Sequence, residues 1–360
     1  MFEEKFKIIP ENIPNGGIMF ANMEKELRSS HLGHAMIEYA PGKVFAFYPN
    51  CSSEDDKYKG HSGYGWMEYK RSEDGGDSWS EPICEPNSKA LFDADCGRTL
   101  MCEKAVVTDT GRIVLFYLHC DVVTNGHVWD PRLAPMYAIS DDTMESVSEP
   151  KFFCYRAGRI FDALYHNGVI YVLIQTGEHC EWKGSDEEMQ LYVSEDNGET
   201  FKLRSTVGFT SIKDCFYGTM TFTPDGRLLV YIYDLGDEYN ARYIVSSDLG
   251  YTWDDNRRAF FKKRIRNPQI VYFGGRYLMH GRSGSRGEPG KSGNFVLYSS
   301  KDGETWDEGR YLCMRTAGAG AYSNNLLVHL PNGKERLIIQ TSHAYLEHRT
   351  NVLMYFVEEI

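Results

Sequence analysis

The sequence predicts an all-β protein, a six-bladed β-propeller of four-stranded antiparallel blades, and three observations lead there. First, a turn motif recurs. Ser72-Glu-Asp74-Gly-Gly76-Asp-Ser78-Trp79, Ser194-Glu-Asp196-Asn-Gly198-Glu-Thr200-Phe201 and Ser246-Ser-Asp248-Leu-Gly250-Tyr-Thr252-Trp253 share one pattern, and Ser300-Lys-Asp302-Gly303-Glu-Thr305-Trp306 repeats it with one residue deleted. Second, a glycine turn followed by an apolar strand occurs six times, at Gly42, Gly111, Gly168, Gly226, Gly275 and Gly333. Third, the chain holds 24 Tyr and 19 Phe, is rich in turn dipeptides and shows little helical periodicity. Repeats of this kind bury each unit against its neighbours, so residues 1–360 are read as one closed domain.

Each Asp turn follows an alternating apolar run, which places it in a hairpin at the end of a strand. The Asp accepts hydrogen bonds from its own turn, the Gly supplies a left-handed conformation, and the aromatic packs between sheets. Asp74, Asp196, Asp248 and Asp302 are therefore scaffold groups. Ser140-Asp-Asp142-Thr-Met-Glu-Ser146 reads as an eroded fifth copy and predicts a looser outer turn in the second blade. The apolar run before each glycine turn supplies the inner strand. The last run, residues 351–357, has no Asp turn after it, so residues 6–10 are expected to complete the sixth blade and remove two open edges.

A net charge of −12 excludes nucleic acid or an anionic membrane as a bulk partner and leaves room for a local basic pocket. Met1-Phe-Glu-Glu-Lys-Phe-Lys lacks a secretory pattern and no window reaches the length of a membrane span, so a cytoplasmic location is expected. The nine cysteines are scattered, without C-x-x-C or zinc-type spacing, which predicts reduced thiols, no metal and no cofactor.

In a propeller, the segments entering the inner strands and the loops leaving the second strands converge on one face, where ligands bind. Those segments carry His31 and His34, then Asp95 and Arg98, then Arg156, Arg159 and Asp162, then Tyr217, and finally Tyr322. The loops add Asp55, Asp56, Arg242, Arg282 and Arg286. The face is polar and of mixed charge.

Six blades, Asp turns in the outer hairpins and a donated N-terminal strand together resemble the sialidase superfamily over essentially the whole chain. The resemblance implies an exo-acting glycoside hydrolase that removes an acidic sugar of sialic or uronic type from small glycosides. Ala321-Tyr322-Ser323, followed by Leu326-Leu-Val, stands where the family's nucleophilic Tyr enters the last blade. A neutral phenol avoids the repulsion a carboxylate meets at an anionic sugar. The loop Cys51-Ser-Ser-Glu54-Asp55-Asp56-Lys stands at the family's general acid, which makes Asp55 or Asp56 the acid/base. Arg242, with Arg286 or Arg282, matches the arginines that grip a carboxylate through their planar fork.

Two positions depart from the family pattern. His31, in Ser30-His31-Leu-Gly-His34, falls where an Arg is usual, and Tyr217 stands nearest the place of the glutamate that assists the Tyr. Arg98, Arg156 and Arg159 are candidates to rebuild the anion clamp, with Asp95 and Asp162 as partners or further substrate ligands, beside His34. His, Tyr and Arg on one face also fit a lyase acting on a uronate, and a non-catalytic carbohydrate-binding propeller is a third reading.

Overall fold

A computed structural model of the chain describes residues 2–14, 16–53, 63–122, 132–177, 187–209, 215–283, 293–314, 317 and 320–360. Two short N-terminal strands, β1 (Phe6–Ile9) and β2 (Ile18–Ala21), precede the blades. Blade one is β3 (Met36–Ala40), β4 (Lys43–Cys51), β5 (Gly65–Ser72) and β6 (Ile83–Cys84). Blade two is β7 (Arg98–Val107), β8 (Ile113–Asp121), β9 (Met136–Ser140) and β10 (Lys151–Phe152). Blade three is β11 (Gly158–His166), β12 (Val169–Thr176), β13 (Met189–Ser194) and β14 (Lys202–Thr206). Blade four is β15 (Cys215–Phe222), β16 (Leu228–Asp234), β17 (Asn240–Ser246) and β18 (Arg257–Phe260). Blade five is β19 (Arg266–Phe273), β20 (Arg276–Ser283), β21 (Asn294–Ser300) and β22 (Arg310–Cys313). Blade six holds β23 (Ser323–His329), β24 (Glu335–Leu346) and β25 (Arg349–Glu359).

The ring closes as expected and then goes further. β1 pairs with β25 from Phe6↔Glu359 to Ile9↔Phe356. β2 continues along the same edge, from Ile18↔Met354 to Ala21↔Val352, so the sixth sheet has five strands where four are expected. The reason is length: β25 runs for 11 residues, and the four residues of β1 leave part of its edge uncovered. One helix, α1 (Pro86–Asp93), stands between blades one and two. Its start is dictated locally, because the Glu85 carboxylate accepts from Ser88 N at 2.7 Å and Pro86 suits the first turn.

The Asp turns are built alike. Asp74 Oδ1 accepts from Ser78 N at 2.9 Å and Oδ2 from the Ser78 hydroxyl at 2.5 Å, while Ser72 Oγ accepts from Gly76 N at 2.9 Å. The looser turn expected in blade two is not found. Asp142 takes Ser146 N at 2.8 Å, and Ser140 Oγ takes Met144 N at 2.9 Å, as in the intact copies. Met144 occupies the glycine position with φ of 67°. Its buried side chain, 8% exposed, joins the apolar core between blades and offsets the left-handed strain. Elsewhere the glycine is required: a Cβ on Gly198, whose φ is 84°, would lie 2.7 Å from Val114 of the preceding blade.

The cores lie between neighbouring blades, and the Asp-turn aromatics fill them. Trp306 is 8% exposed, stacks on Phe261 with 5.6 Å between centroids and meets Tyr231 edge-on at 6.0 Å. Trp306→Ala is expected to cost about 3–5 kcal/mol through the cavity left behind. Asp302→Ala should cost only about 1 kcal/mol, and urea unfolding of both variants checks the ranking.

The inner strands run side by side down the axis, and a polar knot crosses the channel between them. Lys104 Nζ contacts Asp162 Oδ1 at 3.1 Å, Asn324 Oδ1 at 2.7 Å and Gln269 Oε1. Asp162 Oδ2 also accepts from Thr219 Oγ1 at 2.9 Å and Met220 N at 2.8 Å. Beyond the knot, a channel of about 700 Å³ opens on the opposite end, lined by Leu164, His166, Phe222 and Tyr272 among others. Among the described residues, the seven cysteines are free thiols, no group of three His, Cys, Asp or Glu stands close enough to hold a metal ion, and no helix is long and apolar enough to cross a membrane.

Candidate functional site

The mouth above the knot is shaped by irregular backbone. The pairing of inner with second strands shifts register between Cys102 and Lys104, between Ile160 and Asp162, between Phe216 and Gly218, and between Arg266 and Gln269. Each shift sits at the same level and re-aims a side chain, as bulges near sites do. Glu103 and Tyr217 are the residues so displaced. Tyr217, Asn267 and Ala321 have φ of 53°, 50° and 67°, a ring of non-glycine residues in the left-handed region around the opening.

Tyr322, Tyr217, His31 and Arg159 come together there. The Tyr217 and Tyr322 hydroxyls are 3.3 Å apart. Arg159 Nη1 donates to Tyr217 Oη at 3.1 Å, and Nη2 donates to Glu103 Oε2 at 2.7 Å. The His31 ring meets Tyr322 edge-on at 4.7 Å. Arg159 is 5% exposed, and its guanidinium lies 4.9 Å from the Tyr217 ring centre and 5.8 Å from that of Tyr322. Burial works against this cation, but Glu103, Tyr217 and Tyr322 outweigh it and hold the proton more firmly than usual.

A second group of charges stands on blades four and five. Arg266 Nε is 3.4 Å from Glu238 Oε1, and its Nη2 donates to Tyr233 Oη at 3.4 Å. Burial opposes its charge, while Tyr233 and Glu238 raise its proton affinity overall. Arg282 lies directly across the ladder from Arg266 and is 9% exposed. Burial first and the Arg266 charge second push its proton affinity down. Arg242, on β17, is within 3.7 Å of Asp234.

The remaining expected residues divide. Arg98 is exposed at the start of β7, and Asp95, also exposed, accepts from Tyr64 Oη at 3.1 Å. Two assignments are corrected. Asp162 does not face a substrate: the register shift before it turns its carboxylate into the knot, where Lys104 and two donors of β15 hold it. His34 is not at the mouth either, because Gly33, with φ of 79°, turns the chain inward, and His34 is 3% exposed. Its Nε2 reaches the His31 carbonyl at 3.2 Å and its Nδ1 meets Gln340 at 3.3 Å, so it supports His31 from below. Asp55, Asp56 and Arg286 lie outside the described residues. Of the described residues before the first two, Cys51 pairs with Ser29, and Ser52 N donates to Tyr64 O at 2.9 Å.

Sequence reasoning did not single out Glu103, Glu238 or Arg266 as site candidates. Their polar types were visible. Glu103 and Arg266 stand at register shifts, which no spacing announces, and Glu238 comes from the connection after β16.

Burial pushes His34 down to about 4 and His280 to about 3. Both are neutral in the fold, so the stability they contribute is present above the ordinary value of 6.5 and is lost as pH falls below it. For His34 the loss by pH 4 is about 3 kcal/mol. Urea midpoints measured from pH 7 to 4.5 should fall steadily, and His34→Gln, which keeps a polar partner for Gln340, should flatten part of the slope.

Comparison with known proteins follows this geometry. The model of the BNR repeat-like domain matches residues 160–357, more than half of the chain. No curated protein matches it. A protein of unknown function from Dyadobacter fermentans has a TM-score of 0.68 at 15% identity, covering 97% of this chain and 98% of that one. The Hadza microbial sialidase Hz136 has a TM-score of 0.68 at 15% identity, over 96% of this chain and 68% of that one. The NanB sialidase from Streptococcus pneumoniae has 0.62 at 13% identity, over 98% and 71%. At these identities the likeness is one of fold. With its repeated Asp turns and closed ring, the chain belongs to the BNR repeat-like domain family, on the six-bladed propeller that sialidases share.

Proposed function

We propose that the protein is a glycoside hydrolase of sialidase type that removes a terminal acidic sugar from small glycosides, with Tyr322 as the nucleophile. One observation carries the reading: Tyr322 Oη lies 3.3 Å from Tyr217 Oη, which in turn accepts from the buried Arg159 at 3.1 Å. A phenol attacks well only when its proton has somewhere to go and the resulting charge is stabilised. Tyr217 takes the place of an assisting carboxylate, and Arg159 supplies the positive charge.

In this reaction the Tyr322 oxygen bonds to the anomeric carbon, the glycosidic bond breaks, and the leaving oxygen takes a proton from Asp55 or Asp56. Water then releases the sugar with overall retention. Arg266 and Arg282 are side by side and buried, so an anionic group between them would relieve their mutual repulsion. Arg242 lies on the same wall, and the substrate's carboxylate is assigned to these three.

A second reading has its own support. The His31 ring, its centre 4.7 Å from that of Tyr322, also fits proton abstraction beside a uronate. The test is product analysis with umbelliferyl sialosides and uronosides and with short uronate oligosaccharides. Free saturated sugar supports the hydrolase. New ultraviolet absorbance from an unsaturated uronate supports the lyase instead, and binding without any turnover overturns both.

A further inference from the structure

We infer that Tyr217 and Tyr322 share a single proton, one of the two phenols being ionised in the resting protein, and that Glu103 tunes this ionisation through Arg159. The inference rests on Tyr322 as the reacting group and deepens that reading by adding Glu103 as a positioning residue. Tyr217 Oη accepts from Arg159 Nη1 at 3.1 Å and lies 3.3 Å from the Tyr322 hydroxyl, which serves as a second donor to it when Tyr217 is the ionised partner. An oxygen receiving both in a buried site is suited to a negative charge, because each donor stabilises a phenolate more than a phenol. Tyr217 is 8% exposed and Tyr322 6%, so water does not dilute the effect.

The surrounding charges point the same way. Arg159 on β11, Arg266 on β19 and Arg282 on β20 face the pair, against Glu103 on β7 and Glu238 after β16, with His31 and Tyr233 as further titratable neighbours. The closest charge to Tyr217 is the guanidinium of Arg159. Glu103 occupies the far side of that guanidinium at 2.7 Å and partly neutralises it. Glu103 is thus placed to govern how strongly Arg159 favours the phenolate, without touching either ring's hydroxyl.

The device gives the attack its proton path. As the Tyr322 oxygen bonds to carbon, its proton passes to the Tyr217 phenolate, and the electrons of the broken glycosidic bond leave with the oxygen protonated by the acid. No further reactant is needed. Elsewhere burial raises the phenols of Tyr117 and Tyr231, so these stay protonated and do not obscure the pair.

The test is an ultraviolet difference titration of the free protein, which requires no substrate. A step of one tyrosinate, out of 24 Tyr, is expected to be complete by about pH 7, roughly 3 pH units below an ordinary phenol. Glu103→Gln, which frees the full charge of Arg159, should move that step to lower pH by roughly 0.5–1 unit. Tyr217→Phe should remove it or carry it upward. The acid limb of kcat/KM should follow each shift. A step left in place by either substitution, or no early step at all, overturns the inference. Tyr217→Phe removes one oxygen from a packed ring and keeps the test readable if Glu103→Gln does not fold. Because the titration precedes any turnover, an inactive protein with the early step sinks only the hydrolase reading, and an active one without the step sinks only this inference.

Discussion

Replacing Tyr322 with Phe is expected to lower turnover by about a thousandfold or more while leaving the unfolding transition in place. In the proposed mechanism the lost oxygen is the reacting atom, and the nearest hydroxyl described beside it, Tyr217 Oη, is 3.3 Å away and held by Arg159. The ring itself would stay, packed edge-on against His31 and 6% exposed, so the fold has little reason to change. Single-turnover assays on the substrate identified for the unaltered protein, with circular dichroism as the control, make the comparison. Retained turnover would remove Tyr322 from the chemistry and shift the role to Tyr217 or His31.

The second large effect is structural. Deleting residues 1–9 should abolish the cooperative unfolding transition. Phe2, Phe6 and Ile8 are 4%, 2% and 7% exposed, and the Phe6 ring lies 5.3 Å from that of Phe273 in blade five. Burial of three such side chains contributes roughly 5–9 kcal/mol, comparable to the whole net stability of an ordinary domain. The deletion also bares the β25 edge from Phe356 to Glu359. A truncated protein that unfolds at the same urea concentration as the full chain would contradict this account of closure.

The blade count was legible because it rests on local chemistry. A Ser, an Asp, a Gly and an aromatic at set spacing make a turn that forms the same hydrogen bonds wherever it occurs, and Gly at the hairpins marks each inner strand. Tyr322 was legible for a related reason, since its place in the last blade follows once the blades are numbered. The aim of Tyr217 and Glu103 was not. Both sit at register shifts that break strict alternation by one residue, and a shift of this size turns a side chain from one face to the other. His31 and His34 show the same sensitivity: three residues apart, one lies at the mouth and the other beneath it because of a single left-handed glycine. Met144 misled in the opposite direction, since a missing glycine was read as a looser turn although the serine and aspartate were enough to hold it as in the intact copies.

The knot of Lys104 and Asp162 has a bearing on what a glycan can do here. It lies further along the inner strands than the tyrosines and joins five blades through Lys104, Asp162, Thr219, Gln269 and Asn324. A polymer therefore cannot thread the ring, and entry and exit share one doorway. On the proposed hydrolase reading, only the end of a saccharide chain reaches Tyr322, and the trimmed remainder backs out before the next residue is presented.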